Sequence, residues 1–274
     1  MKESIEAQNN LIWFLKQYFR YEIRGVDKLD SLTASKSPYL LLANHSVNFI
    51  DPLLLIHSLY DRFKLAPSPI GYSSFLIENP IMRGFADKYD MISHRDFRKI
   101  NTTLRNKKSI LAYPGGYEEG VLRNFSKEPY KLKWKEKVGL IKIIVNHNIP
   151  IVFVAKIGAD ELVTQSNAVK MPSISRKIFG MVDEIFEEAL QMWTVAIHPP
   201  IKVTHIITDP IYPSQFLNKK GKRMTKEEAL ESLRKLEEIC QLRLDHFIEN
   251  RHLLEDDIDK FIKKFINDSR NYGL

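Results

Sequence analysis

Short apolar blocks alternate along this chain with longer segments whose apolar residues recur every three or four positions. The short blocks end at Gly, Pro or Asn and are typical of buried or half-buried strands. We predict strands over residues 21–26, 38–43, 109–113, 149–155 and 201–207, and helices between them over 53–63 and 138–145. Strands separated by helices favour an α/β fold with a mixed, mostly parallel sheet flanked by helices.

Both ends of the chain show helical spacing. Residues 8–20 interleave Leu, Trp, Phe and Tyr with Lys and Arg, which predicts an amphipathic helix. Within residues 1–20 this helix either caps the core or lies at a membrane surface. Apolar residues three or four apart predict C-terminal helices over 225–270. Since no repeat or linker interrupts the pattern, we expect one domain over residues 1–274.

The amino-acid composition limits the classes of binding partner that we expect. The net charge of +7 favours anionic partners such as lipid head groups, nucleic acid or phosphate-bearing cofactors. No nucleic-acid-binding motif accompanies the charge, so we expect no nucleic-acid partner. The single cysteine, Cys240, excludes an intrachain disulfide, and the histidines lack metal-ligand spacing, so we expect no metal. We find no signal peptide or membrane-spanning run, and we expect a cytoplasmic protein peripheral to a membrane.

The first candidate site follows the predicted strand 38–43. Asn44 and His45 enter a short loop that ends at Asp51 and Pro52. An imidazole oriented by a nearby carboxylate is a general-base arrangement. Asp before Pro is also a good helix N-cap, and both roles are compatible because a capping carboxylate has a fixed position. Asn44 is either a turn residue or a polar support for the loop.

The second candidate site follows the predicted strand 109–113. Pro114, Gly115 and Gly116 fit a tight turn. Consecutive glycines also let backbone N–H groups approach a ligand closely, as an oxyanion hole or a phosphate site requires. Glu118 and Glu119 come next, and are either solvated charges or carboxylates that hold an Arg or Lys of the site.

Two basic segments complete the candidate chemistry. Arg95 and Arg98 have planar guanidinium groups that suit a phosphate, although surface arginines also need no special role. Lysines alternate with apolar residues over 131–137. This pattern predicts either an exposed edge strand protected by its charges or a basic strip facing anionic lipid or coenzyme phosphates.

Three blocks of the sequence, in this order and at these separations, carry a resemblance to a known family. They are Asn44-His45 with Asp51, Tyr113-Pro114-Gly115-Gly116-Tyr117-Glu118-Glu119, and Ile149-Pro150-Ile151-Val152-Phe153-Val154. The combination resembles the glycerolipid acyltransferase superfamily, which includes lysophosphatidate and glycerol-3-phosphate acyltransferases. The resemblance covers roughly residues 18–215, which we expect to form the catalytic core.

Two departures from the usual signature resemble the diacylglycerol-acyltransferase-like branch. The gap from His45 to Asp51 is one residue longer than usual. The usual Pro-Glu-Gly followed by Thr-Arg is here Pro-Gly-Gly followed by Tyr-Glu-Glu. Because the arginine of the commoner block is missing, the resemblance implies a neutral acceptor such as monoacylglycerol, diacylglycerol or another lipid alcohol.

The resemblance also implies a mechanism. His45 would remove the proton of the acceptor hydroxyl as that oxygen attacks the thioester of acyl-CoA, with Asp51 orienting the imidazole. Backbone groups near Gly115 and Gly116 would stabilise the oxyanion. Acyl-CoA is then a co-substrate, no cofactor is bound, and the partners are the lipid acceptor and a membrane surface. The alternatives are a lipid or thioester hydrolase on the same site and a non-catalytic membrane- or lipid-binding module.

Overall fold

The computed structural model describes residues 9–45, 50–71, 80–120, 128–160, 163–165, 193–195, 202–217 and 224–254. The strands in this part of the chain are β1 (Glu22–Arg24), β2 (Leu40–Ala43), β3 (Ser68–Gly71), β4 (Ile92–Ser93), β5 (Ile110–Ala112), β6 (Ile151–Ile157), β7 (Val163–Gln165), β8 (Trp193–Val195) and β9 (Thr204–Ile207). The α-helices are α1 (Asn9–Tyr18), α2 (Asp30–Ala34), α3 (Ile50–Phe63), α4 (Pro80–Lys88), α5 (Phe97–Arg105), α6 (Gly116–Gly120), α7 (Val138–His147) and α8 (Lys226–Glu249). Three 3-10 helices span Val26–Leu29, Pro213–Gln215 and Arg251–Leu254.

Seven strands form one sheet in the order β1-β9-β6-β2-β5-β3-β4. Neighbouring strands are parallel except for β6 and β9, which pair antiparallel. The mixed, mostly parallel sheet flanked by helices confirms the predicted fold class. Strands β7 and β8 form a separate antiparallel pair.

The central strands are buried on both faces, which explains why they read as continuous apolar runs rather than as alternating ones. All four residues of β2 and all seven of β6 are buried. One core cluster lies where α7 and α8 cover a face of the sheet, around Trp134, Phe153 and Leu236. A second covers the opposite face around Leu41, Val152 and Tyr89, with residues of α3.

The predicted elements differ from the observed ones in extent. Strand 201–207 is observed only over Thr204–Ile207. The sequence pattern does not predict β3, β4, β7, β8, α2, α4, α5 or α6. Of the predicted C-terminal helices, α8 ends at Glu249, and residues 255–270 lie outside the described residues. The edge-strand alternative for residues 131–137 is wrong, because residues 131–134 run without strand pairing, as described below.

Buried histidines make the stability of the fold sensitive to acid. Burial lowers the pKa of His57 from 6.5 to about 4, and it also lowers the pKa of the fully buried His205 well below 6.5. His57 accepts or donates a 3.1 Å hydrogen bond at Tyr89 Oη and is 1% exposed. In the folded protein these imidazoles therefore stay neutral at pH values where the unfolded chain binds protons.

We predict that the free energy of unfolding falls as the pH is lowered from about 6.5 towards 4. Each proton that only the unfolded chain binds contributes a slope of about 1.4 kcal/mol per pH unit. Urea unfolding across this range should show a shallower pH dependence for His57→Gln than for the wild type. The exposed His252→Gln is the control and should keep the wild-type slope. An unchanged slope in His57→Gln would contradict the assignment.

Candidate active site

The candidate residues meet at the carboxyl edge of the parallel strands. In the sheet β2 lies between β5 and β6, with Leu40 opposite both Ile110 and Ile151. His45 follows β2 and the Pro-Gly-Gly turn follows β5, so both segments leave the sheet side by side. This edge is where open α/β sheets place their ligands.

Asn44 joins the end of β2 to β6. Its Nδ2 donates to the carbonyl of Lys156 at 2.9 Å, and its Oδ1 accepts from the N–H of Lys156 at 2.7 Å. The side chain is 0% exposed. Both ends of the amide therefore bond to the backbone, and the structure places Asn44 as a support for the loop, one of the two roles predicted for it.

Glu119 holds the backbone of His45. Its Oε1 accepts the N–H of His45 at 2.5 Å, and its Oε2 accepts the N–H of Lys133 at 3.2 Å. The carboxylate is 0% exposed. One buried anion thus connects the loop after β2, the turn after β5 and the segment before α7. Hydrogen bonds to a charged acceptor are among the stronger ones in proteins.

The segment that contains Lys133 is attached to α8 by side chains. The N–H of Leu132 donates to Gln241 Oε1 at 2.8 Å, and the N–H of Trp134 donates to Glu237 Oε1 at 2.9 Å. Residues 237 and 241 are one helical turn apart, so they meet alternate peptides of an extended chain. Leu132 and Trp134 are buried, and α8 therefore supports the same segment that Glu119 holds.

The Pro-Gly-Gly turn has two distinct glycines. Gly116 has a φ of +51°, in the left-handed region that favours glycine, and its N–H donates to the carbonyl of Tyr113 at 3.0 Å. Gly115 lacks a positive φ, but a Cβ there would overlap the Oε2 and Cβ of Glu119. The backbone conformation thus favours glycine at position 116, whereas the side chain of Glu119 requires it at position 115.

A tyrosine lies between His45 and a buried lysine. The rings of His45 and Tyr113 have centroids 5.2 Å apart, and the Nζ of Lys156 lies 5.7 Å from the Tyr113 ring centroid. Lys156 is 0% exposed, although it stands in an apolar block that predicts only a core strand. A lysine at the carboxyl end of such a strand is the sequence signal that could have marked this residue for the site.

The remaining predicted residues lie further out or outside the described part of the chain. Arg95 and Arg98 are exposed, and Arg95 follows β4 at the same sheet edge, with β3 and β5 between β4 and β2. Glu118 forms an ion pair with Lys135. Asp51 belongs to the first turn of α3, but its side chain and residues 46–49 lie outside the described residues.

The basic strip over residues 131–137 is partly neutralised. Lys133 pairs with Glu128 at 2.5 Å, and Lys135 pairs with Glu118. Within the described ranges no cluster of His, Cys, Asp and Glu could hold a metal ion. No helix in those ranges is long and apolar enough to cross a bilayer.

Comparison with protein families agrees with the geometry. The acyltransferase family model matches residues 20–156, half of the chain. The chain belongs to the acyltransferase family. The match supports the superfamily of glycerolipid and lysophospholipid acyltransferases. It includes His45, the turn at 114–116 and β6. A search of curated proteins found no match.

Membership makes this chain an acyltransferase, an enzyme class that moves an acyl group from a donor to an acceptor, here a lipid. The match ends at Lys156. Helix α8, which supports the Leu132–Trp134 segment of this acyltransferase, lies beyond the matched residues.

We predict that Asn44→Ala lowers the free energy of unfolding by about 2–4 kcal/mol, because it removes two buried hydrogen bonds to the backbone of Lys156. Urea unfolding checks this value. Asn250→Ala is the matched control, since its amide donates to a carbonyl at the exposed end of α8, and we expect a loss under about 0.5 kcal/mol there. Equal losses in the two variants would contradict the supporting role of Asn44.

Proposed function

We propose that this acyltransferase moves a fatty acyl group from acyl-CoA to the hydroxyl of a glycerolipid or another lipid alcohol. The observation that carries the proposal is the fixed position of His45. It stands at the carboxyl edge of the sheet, beside a glycine turn, with its N–H held at 2.5 Å by a buried carboxylate. This arrangement lies inside the segment that matches the family.

In the proposed reaction His45 is the general base. Its imidazole takes the proton of the acceptor hydroxyl while that oxygen attacks the thioester carbonyl, and coenzyme A leaves as the thiolate. The acyl–sulfur bond breaks and an acyl–oxygen ester forms, with no covalent enzyme intermediate. Asp51 is the proposed orienting carboxylate, at the start of the helix that follows the His45 loop.

The proposed oxyanion donor lies in the turn after β5. Because the N–H of Gly116 already donates to Tyr113, we assign this role to the N–H of Gly115. Removing such a donor costs about 10²–10³ in rate where it has been measured in other enzymes. Pro114 has no N–H, and its part is to set the direction of the turn.

We propose that different residues recognise the acyl donor and the acceptor. Arg95 and Arg98 are the candidates for the coenzyme phosphates, since both are exposed and Arg95 follows β4 at the site edge. Lys133 and Lys135 are weaker candidates because both are ion-paired. The turn has Tyr and Glu where the commoner block has Thr and Arg, which favours a neutral acceptor such as diacylglycerol.

We predict that His45→Ala lowers the rate of acyl transfer by at least about 10²-fold, because the acceptor loses its general base. Radiolabelled acyl-CoA with a panel of monoacylglycerol, diacylglycerol, long-chain alcohol and lysophospholipid acceptors gives the measurement. Asp51→Asn should also lose activity, whereas the exposed His252→Ala should keep it.

The same assay separates the alternatives. Free fatty acid as the sole product, unaffected by every acceptor, would identify a hydrolase. Loss of less than about tenfold in His45→Ala would contradict its role as base. If the wild type consumes no acyl-CoA with any acceptor, releases no acid and only binds lipid, the chain is a non-catalytic lipid-binding module.

We further propose that α1 attaches the enzyme peripherally to a membrane, on its cytoplasmic side. Leu11, Phe14 and Tyr18 lie three and four positions apart on this helix and are 54%, 43% and 36% exposed. Phe14 and Tyr18 stack with ring centroids 6.1 Å apart. Ile12 on the other side of the helix is buried, so the exposed face is available while the helix stays packed.

We predict that Leu11→Ser with Phe14→Ser lowers binding to vesicles of phosphatidylcholine and phosphatidylserine by at least tenfold, since each apolar side chain contributes about 1.5–3 kcal/mol when buried. Vesicle co-sedimentation measures the change. Leu65→Ser with Leu242→Ser is the matched control, because these leucines are 59% and 64% exposed elsewhere. A control that loses as much binding as the α1 variant would contradict attachment through α1.

A further inference from the structure

The side chain of Glu119 occupies the space that a side chain at position 115 would need. A Cβ built on Gly115 overlaps the Oε2 and the Cβ of Glu119. The backbone of Gly115 itself is not in the left-handed region, and the three atoms nearest to such a Cβ all belong to Glu119, so Glu119 excludes an L-residue there. The carboxylate of Glu119 therefore occupies the space next to the Cα of Gly115.

The carboxylate of Glu119 binds two backbone N–H groups. It accepts the N–H of His45 through one oxygen and the N–H of Lys133 through the other. A glutamine has a single acceptor oxygen, so it can satisfy only one of these two peptides. The burial of Glu119 makes the loss costly, because a buried N–H without an acceptor loses its hydration as well as its bond.

We propose that Glu119 is the positioning residue for His45, and that its carboxylate does this from the space beside position 115. In this role Glu119 fixes the peptide of the proposed general base. The inference rests on the proposed function for its catalytic consequence, but its geometry is independent of any activity.

The first test measures the two hydrogen bonds of Glu119 by NMR and needs no activity assay. Selective ¹⁵N-histidine labelling gives eight backbone amide signals, and the His45→Gln variant identifies the one from His45. A second sample labelled with ¹⁵N-lysine shows the amide of Lys133, which the Lys133→Arg variant identifies. A proton donated to a carboxylate at 2.5 Å should resonate downfield. In Glu119→Gln we expect this signal to move upfield or the partner bond to Lys133 to fail, with faster hydrogen exchange at one of the two amides. An unmoved His45 signal with unchanged exchange at both amides would overturn the proposal.

The second test measures how the loss of Glu119 changes kcat and KM. Misplacing a reacting group by about 1 Å can cost about 10² in rate. We therefore expect Glu119→Gly to lower kcat by at least tenfold while KM for acyl-CoA stays within about twofold. Glu136→Gln is the control, since this carboxylate is exposed, lies in the same region and pairs only at the surface with Lys226. It should keep wild-type kcat.

The decisive variants move the carboxylate. Glu119→Gly removes both the acid and the Cβ that blocks position 115, and Gly115→Asp or Gly115→Glu then restores an acid beside His45. We expect one of these double variants to recover at least tenfold in kcat over Glu119→Gly and to return the downfield His45 amide. Gly115→Asp alone should lose activity, because its side chain displaces Glu119.

Failure of either proposal is recognisable. If the wild type transfers no acyl group but the amide signal behaves as described, the proposed function fails and the positioning role stands. If neither double variant recovers the amide signal or kcat, the positioning role is overturned while acyl transfer by the wild type stands. Should Glu119→Gly fail to fold, Glu119→Gln and its amide spectrum still decide.

Discussion

Two peptide groups at the carboxyl edge of the sheet donate to a single buried carboxylate, that of Glu119, and the candidate active site depends on this anion. Its bond to His45 holds the loop after β2, and its bond to Lys133 holds the segment that docks on α8. Because a buried carboxylate is stable only where charged or polar donors surround it, these segments must fold together. The position of His45, the proposed general base, is therefore set by the tertiary structure rather than by its own loop.

Much of the fold follows from local pattern. The unbroken apolar blocks of β2 and β6 predict strands buried on both faces, and the helices between strands predict a mostly parallel sheet; the structure confirms both. The conformation of segment 131–137 cannot be predicted from its local pattern. Its alternation looks like a strand, but its peptides bond to side chains of Gln241 and Glu237, about a hundred residues away in sequence. No window of local sequence contains that partner.

In the candidate site, too, some features follow from the local sequence and others depend on distant contacts. The positions of His45 and the Pro-Gly-Gly turn follow from their places after two strands, because neighbouring parallel strands end at one edge. The role of Glu119 does not follow, because a Glu pair after a turn is equally typical of a solvated surface. Only the fold distinguishes Glu118, paired with Lys135 at the surface, from Glu119, buried under the turn. Gly115 leaves room for this carboxylate, whereas the missing arginine remains the basis for proposing a neutral acceptor.

The most direct measurement of the central claim is a crystal structure with a 2-oxoalkyl-CoA, an analogue of acyl-CoA in which a methylene group separates the sulfur from a ketone carbonyl, so that it cannot be cleaved as a thioester. We predict that the ketone carbon of the analogue, which stands in for the thioester carbon, lies at the carboxyl edge of β2 and β5. The carbonyl oxygen of the analogue should lie within about 2.7–3.1 Å of a backbone N–H of the turn, with the His45 imidazole on the side open to the acceptor. An analogue seated at another edge of the sheet, or with its carbonyl away from both His45 and the turn, would contradict the account.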